Sequence, residues 1–598
     1  MDLSYQKNDN SKLFSSLVKT DIMNVSDLQN YIPIYSKFFA LTQTNYNSIN
    51  LKQAYSLYNI TTKHSENKFQ GKVKDNYGNT HTKDIFFKYS PLIDPVKYMI
   101  GKYDNSNNML FNLPTIINNN SHEKMRDTNN SAYIDSFFSY LSSQLLHHHG
   151  FIHGLDFYGS YISIKNDFMV NVVDDMEYLT ESPFFKKNLG QLFTLDYDFQ
   201  MRHNAFDTRT YKEPIKIMNK EENISIQLAD IHDLDELDKL LVDNNSNICD
   251  ELNVVYENNN IVEVDNNSSS STSSSTCSSR SSNTENEEDE VKEDDNENKE
   301  DDRKKEDDSK KEDDENKEDE DSKEEDDSKE DDEYSEEDDD DDDDDCVMAT
   351  VKKFPVQLIA LEKCEDTLDS LMLNNKLSDD EWDSIIIQIL MSLITFQKTF
   401  QLTHNDLHTN NVMYIKTDIS HLYYKVNNKS YKVPTFGRIF KIIDFGRAIY
   451  KFRKTTICSD SFNRNGDAST QYNCEPYLNN KKPRLDPNPS FDLCRLGCSL
   501  FDMIVDDLKC VENVTSPILR IIIGWCMDDK KRNVLYKNNG EERYPDFKLY
   551  KMIARTVHNH VPLTVLQNQY FDKYVIDKKK MKKNTSPIMD IDAFPCYV

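Results

Sequence analysis

The 598-residue chain predicts an α+β domain of two lobes, the first rich in strands and the second in helices. Three observations lead there. Strand-like patterns and turn residues gather in the first half and return at Val356–Leu361. Helical periods dominate from Asp366 onward. A serine tract and an acidic run stand between the two, where a surface loop of a folded domain tolerates an insertion.

Taken in order, Tyr31–Leu41 carries a short helical pattern. Phe69–Tyr89, with Asn76-Tyr-Gly-Asn79 at its middle, reads as a β-hairpin. Residues 131–149 place Phe137, Phe138, Leu141, Leu145 and Leu146 at helical spacing, and Phe151–Ile162 follows as one or two strands. Ile224–Leu241 is a patch of order in a polar stretch. Beyond the insertion come a strand at Val356–Leu361 and helices at Asp366–Leu373 and Asp379–Phe400. A strand-rich segment runs from Met413 to Phe445, and helices follow at Phe491–Val505 and Leu549–His558.

Net charge is −34, from 71 basic and 105 acidic residues. Glu285–Asp345 alone holds 41 acidic and 10 basic residues, which leaves 61 basic against 64 acidic elsewhere. The folded part is therefore close to neutral and offers no basic domain for nucleic acid. Ser268–Ser282 and the acidic run cannot bury enough apolar surface to offset the entropy of ordering, and are expected to be disordered. The acidic run is available to a basic partner, although a plain solubilising linker is the default. Ser309, Ser322, Ser328 and Ser335 each precede an acidic residue by three, a pattern this composition yields by chance. The eleven cysteines form no CxxC pair, and Cys494 and Cys498 suit helix packing, so a reduced intracellular setting is expected. No apolar stretch is long enough to span a bilayer and the first ten residues hold no signal core, so a soluble protein is expected.

The chemistry concentrates in His404-Asn-Asp-Leu-His-Thr-Asn-Asn411 and, at the end of an apolar strand, Asp444-Phe-Gly446. Together they resemble the catalytic loop and metal-binding motif of the eukaryotic-type protein-kinase superfamily, H-R-D-L-x-x-x-N followed by D-F-G. The resemblance implies a two-lobed protein-kinase-like fold that uses ATP and Mg²⁺. It makes Asp406 the residue that orients the acceptor hydroxyl, and Asn411 and Asp444 the oxygen ligands of the metal. Asp492-Leu-Cys-Arg-Leu-Gly497 is similar to the segment that opens the central helix of the kinase C-lobe, where the aspartate braces the catalytic loop. Capping of an ordinary helix is the bland alternative. Glu475-Pro476, with Arg532 as ion-pair partner, stands where A-P-E is expected. Leu361-Glu-Lys-Cys364 looks like the hinge, with Leu361 as gatekeeper and backbone groups of Glu362 and Cys364 meeting the adenine.

The first half resembles the family less. No G-x-G-x-x-G is present, since Gly71 and Gly78 lack that spacing. The lysine expected on the third strand is Lys88, set against an ordinary edge lysine. The helix at 131–149 offers Asp135 in place of the usual glutamate. Residues 83–103 and 431–450 resemble the kinase-like proteins of giant DNA viruses, which implies a viral protein in the host cytoplasm or virion.

Two departures lie inside the catalytic loop. Asn405 replaces the arginine that pairs with a phosphorylated activation segment, so that switch is not expected. His408 occupies the place of a phosphate-reaching lysine, as in aminoglycoside and choline kinases. Three functions compete: a protein serine/threonine kinase, a small-molecule kinase, and a pseudokinase scaffold. The first is favoured because Asp406, Asn411 and Asp444 are all present. His147–His149, consecutive on a helix, do not face one point and read as a solvated helix end. Lys578–Lys583 reads as a solvated basic tail. The expected organisation is an extension (1–55), a divergent N-lobe (56–262), the disordered insertion (263–346), the last N-lobe strand and hinge (347–365), the C-lobe (366–570) and a tail (571–598).

Overall fold

The computed structural model describes residues 3–19, 22–103, 108–195, 347–505, 508–577 and 587–598. All of them fall in one unit, Met1–Tyr197 with Thr276–Val598. The patch at Ile224–Leu241, the serine and acidic tracts and Lys578–Lys583 lie outside the described residues.

The first half is built on an antiparallel sheet. Its strands are β1 (Val25–Gln29), β2 (Tyr55–Lys63), β3 (Lys68–Asp75), β4 (Thr80–Pro91), β5 (Phe157–Asn171) and β6 (Met348–Glu362). Their order in space is β1-β5-β6-β4-β3-β2, with Phe193–Leu195 added against β6. The β3–β4 hairpin forms where the sequence predicts it, and its turn closes by Gly78 N–H donating to Asp75 O at 3.1 Å. Gly78 takes φ +91°, which this tight turn requires and glycine adopts without penalty. Strands β5 and β6 are longer than their apolar runs suggested. They pair along most of their length, from Phe157–Leu361 to Asn171–Met348, and that ladder extends them past the apolar core.

One face of this sheet is closed by α1 (Ser11–Lys19), whose Leu13 and Leu17 pack on Leu57, Ile60, Phe69, Val73, Ile85 and Phe87. The alternation of β4 sends Ile85 and Phe87 to that side and Phe86 and Lys88 to the other. Toward the second face lies α2 (Ser131–His149), which begins at the Asn130 cap and ends at Gly150 with φ +66°. Its first fifteen residues are nearly all buried, because it is packed from both lobes.

The second half is helical. Helix α3 (Leu368–Asn374) starts at the Thr367 cap. In α4 (Asp379–Phe400) Ser378 and Glu381 form a reciprocal capping box, and three acidic residues in the first turn favour its N-terminal dipole. Strands β7 (Val412–Lys416), β8 (His421–Val426), β9 (Lys429–Pro434) and β10 (Arg438–Ile442) follow, and β7 pairs with β10. A short hairpin of β11 (Ile449–Phe452) and β12 (Thr455–Cys458) comes after Asp444. Helices α5 (Phe491–Ile504), α6 (Pro517–Trp525) and α7 (Lys548–Thr556) complete the lobe. Phe138 of α2 meets Phe396 and Phe400 of α4, and also Phe445 and Tyr450, at centroid distances of 4.4–5.3 Å. Such packed rings set the lobes against one another.

Both ends of the chain join the fold. The region read as an extension supplies β1 and a 3₁₀ turn, Pro33–Lys37, in place of the helix expected at Tyr31–Leu41. The region read as a tail adds β13 (Ile588–Asp590) parallel to β8, and Tyr597 accepts the Arg453 N–H. Cys494 and Cys498 are buried in the helical core, as packing residues are.

Candidate functional site

Three distant segments meet at Lys88. Its Nζ lies 2.8 Å from Asp135 Oδ2 and 2.8 Å from Asp444 Oδ1. Asp135 Oδ1 in turn accepts the Phe445 N–H at 2.8 Å. A strand, a helix and the loop after β10 are thus joined through one ammonium. Burial pulls the Lys88 amine down, but the two carboxylates outweigh it and hold it above its ordinary value. Burial also drives the Asp135 carboxyl up against the attraction of Lys88. For Asp444, Lys88 overcomes the effect of burial and holds the carboxyl down at about 2. Its side chain is 43% exposed, with φ +62°, turned out of the strand direction.

The loop 404–411 is held from below by α5. Both oxygens of the buried Asp492 accept loop N–H groups, from His404 and Asn405, each at 2.9 Å. Burial raises the Asp492 carboxyl, opposed by His404 and by these same donors. His404 Nε2 bonds to Ile443 O at 2.8 Å and so ties the loop to the strand that leads into Asp444. Asn405 adopts φ +66°. Its amide donates to Thr403 O and Arg447 O, and its Oδ1 accepts the Tyr472 hydroxyl at 2.8 Å. Asn405 is therefore held by neutral hydrogen bonds, chiefly to the segment that follows Asp444.

Asn411 Nδ2 donates to Asp406 O at 2.8 Å and lies 3.0 Å from His408 Nε2. The first bond fixes the amide with its nitrogen inward, so His408 Nε2 accepts and its ring is neutral. Burial keeps the His408 imidazole below its ordinary value, against the pull of Asp406 and Asp444, which both face it. Asp406, His408, Asn411 and Asp444 therefore share one neighbourhood.

At the hinge segment, Leu361 pairs with Phe86 and lies on the Lys88 face of the sheet. Glu362 gives its N–H to Asp156 O at 2.9 Å. Its side chain holds the buried Lys441 at 2.7 Å. Cys364 N–H takes no backbone partner among the described residues.

One expected ion pair is corrected. Glu475 pairs with Arg484 at 2.8 Å, whereas Arg532 is committed to Asp528 four residues earlier. The shorter loop closure made Arg484 the accessible partner. His147, His148 and His149 bond separately to Asp156, Gln144 and Tyr597, so they do not converge.

Sequence reasoning missed Arg447, Tyr550, Arg495 and Asp460. Arg447 pairs with Asp467, and its place directly after Asp444-Phe-Gly446 was a signal that could have been followed. Tyr550 donates to Asp406 Oδ1 at 3.0 Å across 144 residues, a separation that leaves no sequence signature. Asp460 accepts from Lys124 Nζ at 2.7 Å and from Ser131 N at 3.0 Å, and so pins the start of α2.

No family model matches the chain. Over 62 residues, 10% of its length, it is 39% identical to serine/threonine-protein kinase haspin of Bos taurus. It is similar to the haspin of Mus musculus to the same degree and over the same length. The chain spans 8% of the length of these curated relatives.

Proposed function

We propose that this chain is an ATP-dependent phosphotransferase that passes the γ-phosphate to a protein serine or threonine hydroxyl. The observation that carries the reading is the Lys88 junction, because a cation shared by Asp135 and Asp444 is suited to meet phosphate oxygens beside a metal ligand. The short likeness to haspin supports a protein acceptor over a small alcohol.

The residues fit a nucleotide carrying Mg²⁺. Among the described residues no group of three His, Cys, Asp or Glu side chains is arranged to hold a metal unaided. Mg²⁺ takes one or two protein ligands together with phosphate oxygens. Asn411, its nitrogen turned inward, and the partly exposed Asp444 would hold the ion. When bound, the metal and nucleotide supply the phosphoryl group and neutralise its charge. Lys88 binds phosphate oxygens, and Asp135 keeps the Lys88 amine in place. Asp406 orients the acceptor hydroxyl and takes up its proton, and the neutral His408 holds Asn411. Leu361, with backbone groups of Glu362 and Cys364, borders the adenine.

A small-molecule acceptor is the second reading, favoured by the neutral, half-buried His408 where protein kinases carry a lysine. Calorimetric titration with Mg-ATP tests the shared core of both readings. Wild type is expected to bind only with Mg²⁺ present, and Asp444→Asn to lose that dependence. Binding unaffected by Mg²⁺ in wild type would favour a pseudokinase scaffold.

A further inference from the structure

The catalytic loop has lost two cations, at Asn405 and His408, yet Asp406 is not far from positive charge. Tyr550, from outside the loop, bonds its carboxylate, and Arg495 and Arg447 stand close to that tyrosine. Tyr550 gives its hydroxyl hydrogen to Asp406 Oδ1 at 3.0 Å, and Arg495 Nε donates to the Tyr550 oxygen at 2.9 Å. A guanidinium can only donate. The Tyr550 oxygen therefore receives from Arg495 and its own hydrogen must go to Asp406, which gives the chain a single direction. The guanidinium of Arg447 lies 5.7 Å from the centre of the Tyr550 ring and that of Arg495 5.2 Å, so two cations stand close to the phenol.

The backbone explains why the group assembles. Arg495 and Asp492 are three residues apart on α5, within one turn and on neighbouring positions. One helix face therefore braces the loop twice, through its N–H groups and through its carboxylate. Tyr550 sits in the first turn of α7, stacked on Phe547 at 5.3 Å, with Phe491 of α5 at 6.1 Å. Asp406 and Tyr550 are both nearly buried, and Arg495 wholly so. A charged hydrogen bond in such surroundings is strong and directional.

We propose that Tyr550, directed by Arg495 and flanked by Arg447, is a positioning residue that fixes the Asp406 carboxylate by occupying Oδ1 and leaving Oδ2 to the acceptor hydroxyl. The two arginines thereby stand in for the cations absent from the loop. This inference rests on the phosphotransferase reading.

The test uses the full chain, Mg-ATP and a generic basic protein as acceptor, comparing wild type with Tyr550→Phe. The kcat is expected to fall roughly tenfold while the KM for ATP stays within about twofold, because one charged hydrogen bond is lost far from the nucleotide. An unchanged kcat, a kcat that rises, or a KM that worsens in step would each overturn the proposal. A second measurement does not need activity. Tyr550→Phe should lower the thermal midpoint more in the wild-type background than in an Asp406→Ala background, where only the bond from Arg495 is lost. Equal losses in both would show that Tyr550 is merely structural. A wild type without transfer would defeat the phosphotransferase reading, and the midpoint comparison would still decide the Tyr550–Asp406 link.

Discussion

The loop at 404–411 and the turn between β2 and β3, His64–Asn67, face opposite fates. The loop is mostly buried, and its residues His404, Asn405 and Asp406 are tied to separate elements through Asp492, Ile443, Tyr472 and Tyr550. The turn contains no glycine, and its Glu66 is taken up by Lys63 at 2.5 Å and by Lys165 at 2.6 Å. Burial raises the Glu66 carboxyl, but the two lysines outweigh it and hold it low. A backbone cradle for phosphate needs exposed N–H groups and freedom at φ. This turn has no glycine to give freedom at φ, and the N–H groups of His64 and Ser65 are taken up by Lys68 O. The comparison teaches that, on the proposed reading, the groups that would meet phosphate are Lys88 and residues of the second half, rather than a turn of the first-half sheet.

Breaking the Lys88 junction should give the largest effect. Lys88→Met leaves Asp135 buried without its cation, which should cost about 3 kcal/mol of stability and remove transfer. Chemical unfolding alongside a transfer assay would show it, and retained transfer would shift the phosphate role to another cation. Cutting the brace beneath the loop comes next. Asp492→Ala strands two buried N–H groups and should cost about 2 kcal/mol while lowering kcat, read by the same pair of assays.

The lobe junction can be probed by acid. His153 is buried, with Nδ1 on Phe440 O and Nε2 on the Tyr424 hydroxyl, each at 2.7 Å. Burial holds its imidazole down at about 4, against the raising effect of the Phe440 carbonyl. The unfolded chain takes up this proton at about 6.5, so the contribution is complete above that pH and drains away as pH falls toward 4. Melting of wild type against His153→Gln between pH 7 and 4 should show the steeper loss in wild type. The smallest change is expected at the turn. Glu66→Ala should lower stability by less than about 1 kcal/mol and move the KM for ATP by less than about twofold. A large rise in KM would mean that the turn does cradle phosphate.

Much of the second half was legible because its chemistry is local. His404 to Asn411 and Asp444 to Gly446 each carry their pattern of residues within a single loop, and the capping box at Ser378 and Glu381 marks where α4 begins. Lys88 and Asp135 were legible only as the last charge of an apolar strand and the one acid of a helix. Their meeting depends on how β4 and α2 are placed, which a sequence does not state. The Arg484–Glu475 pair and the Tyr550–Asp406 bond show the limit more plainly. Both are decided by the path of the chain after Gly446. That path is fixed by contacts such as Asp460 with Ser131, separated by 329 residues, and no periodicity reports them.

The central claim is phosphoryl transfer at Asp406, and radiolabelled γ-phosphate transfer from Mg-ATP tests it most directly. Wild type and Asp406→Ala would be offered the protein itself, a generic basic protein and a panel of small alcohols. Label should pass to protein in wild type and fall by roughly a thousandfold in Asp406→Ala, with nucleotide binding intact. Equal transfer by both chains, or none by wild type to any acceptor, would contradict the account.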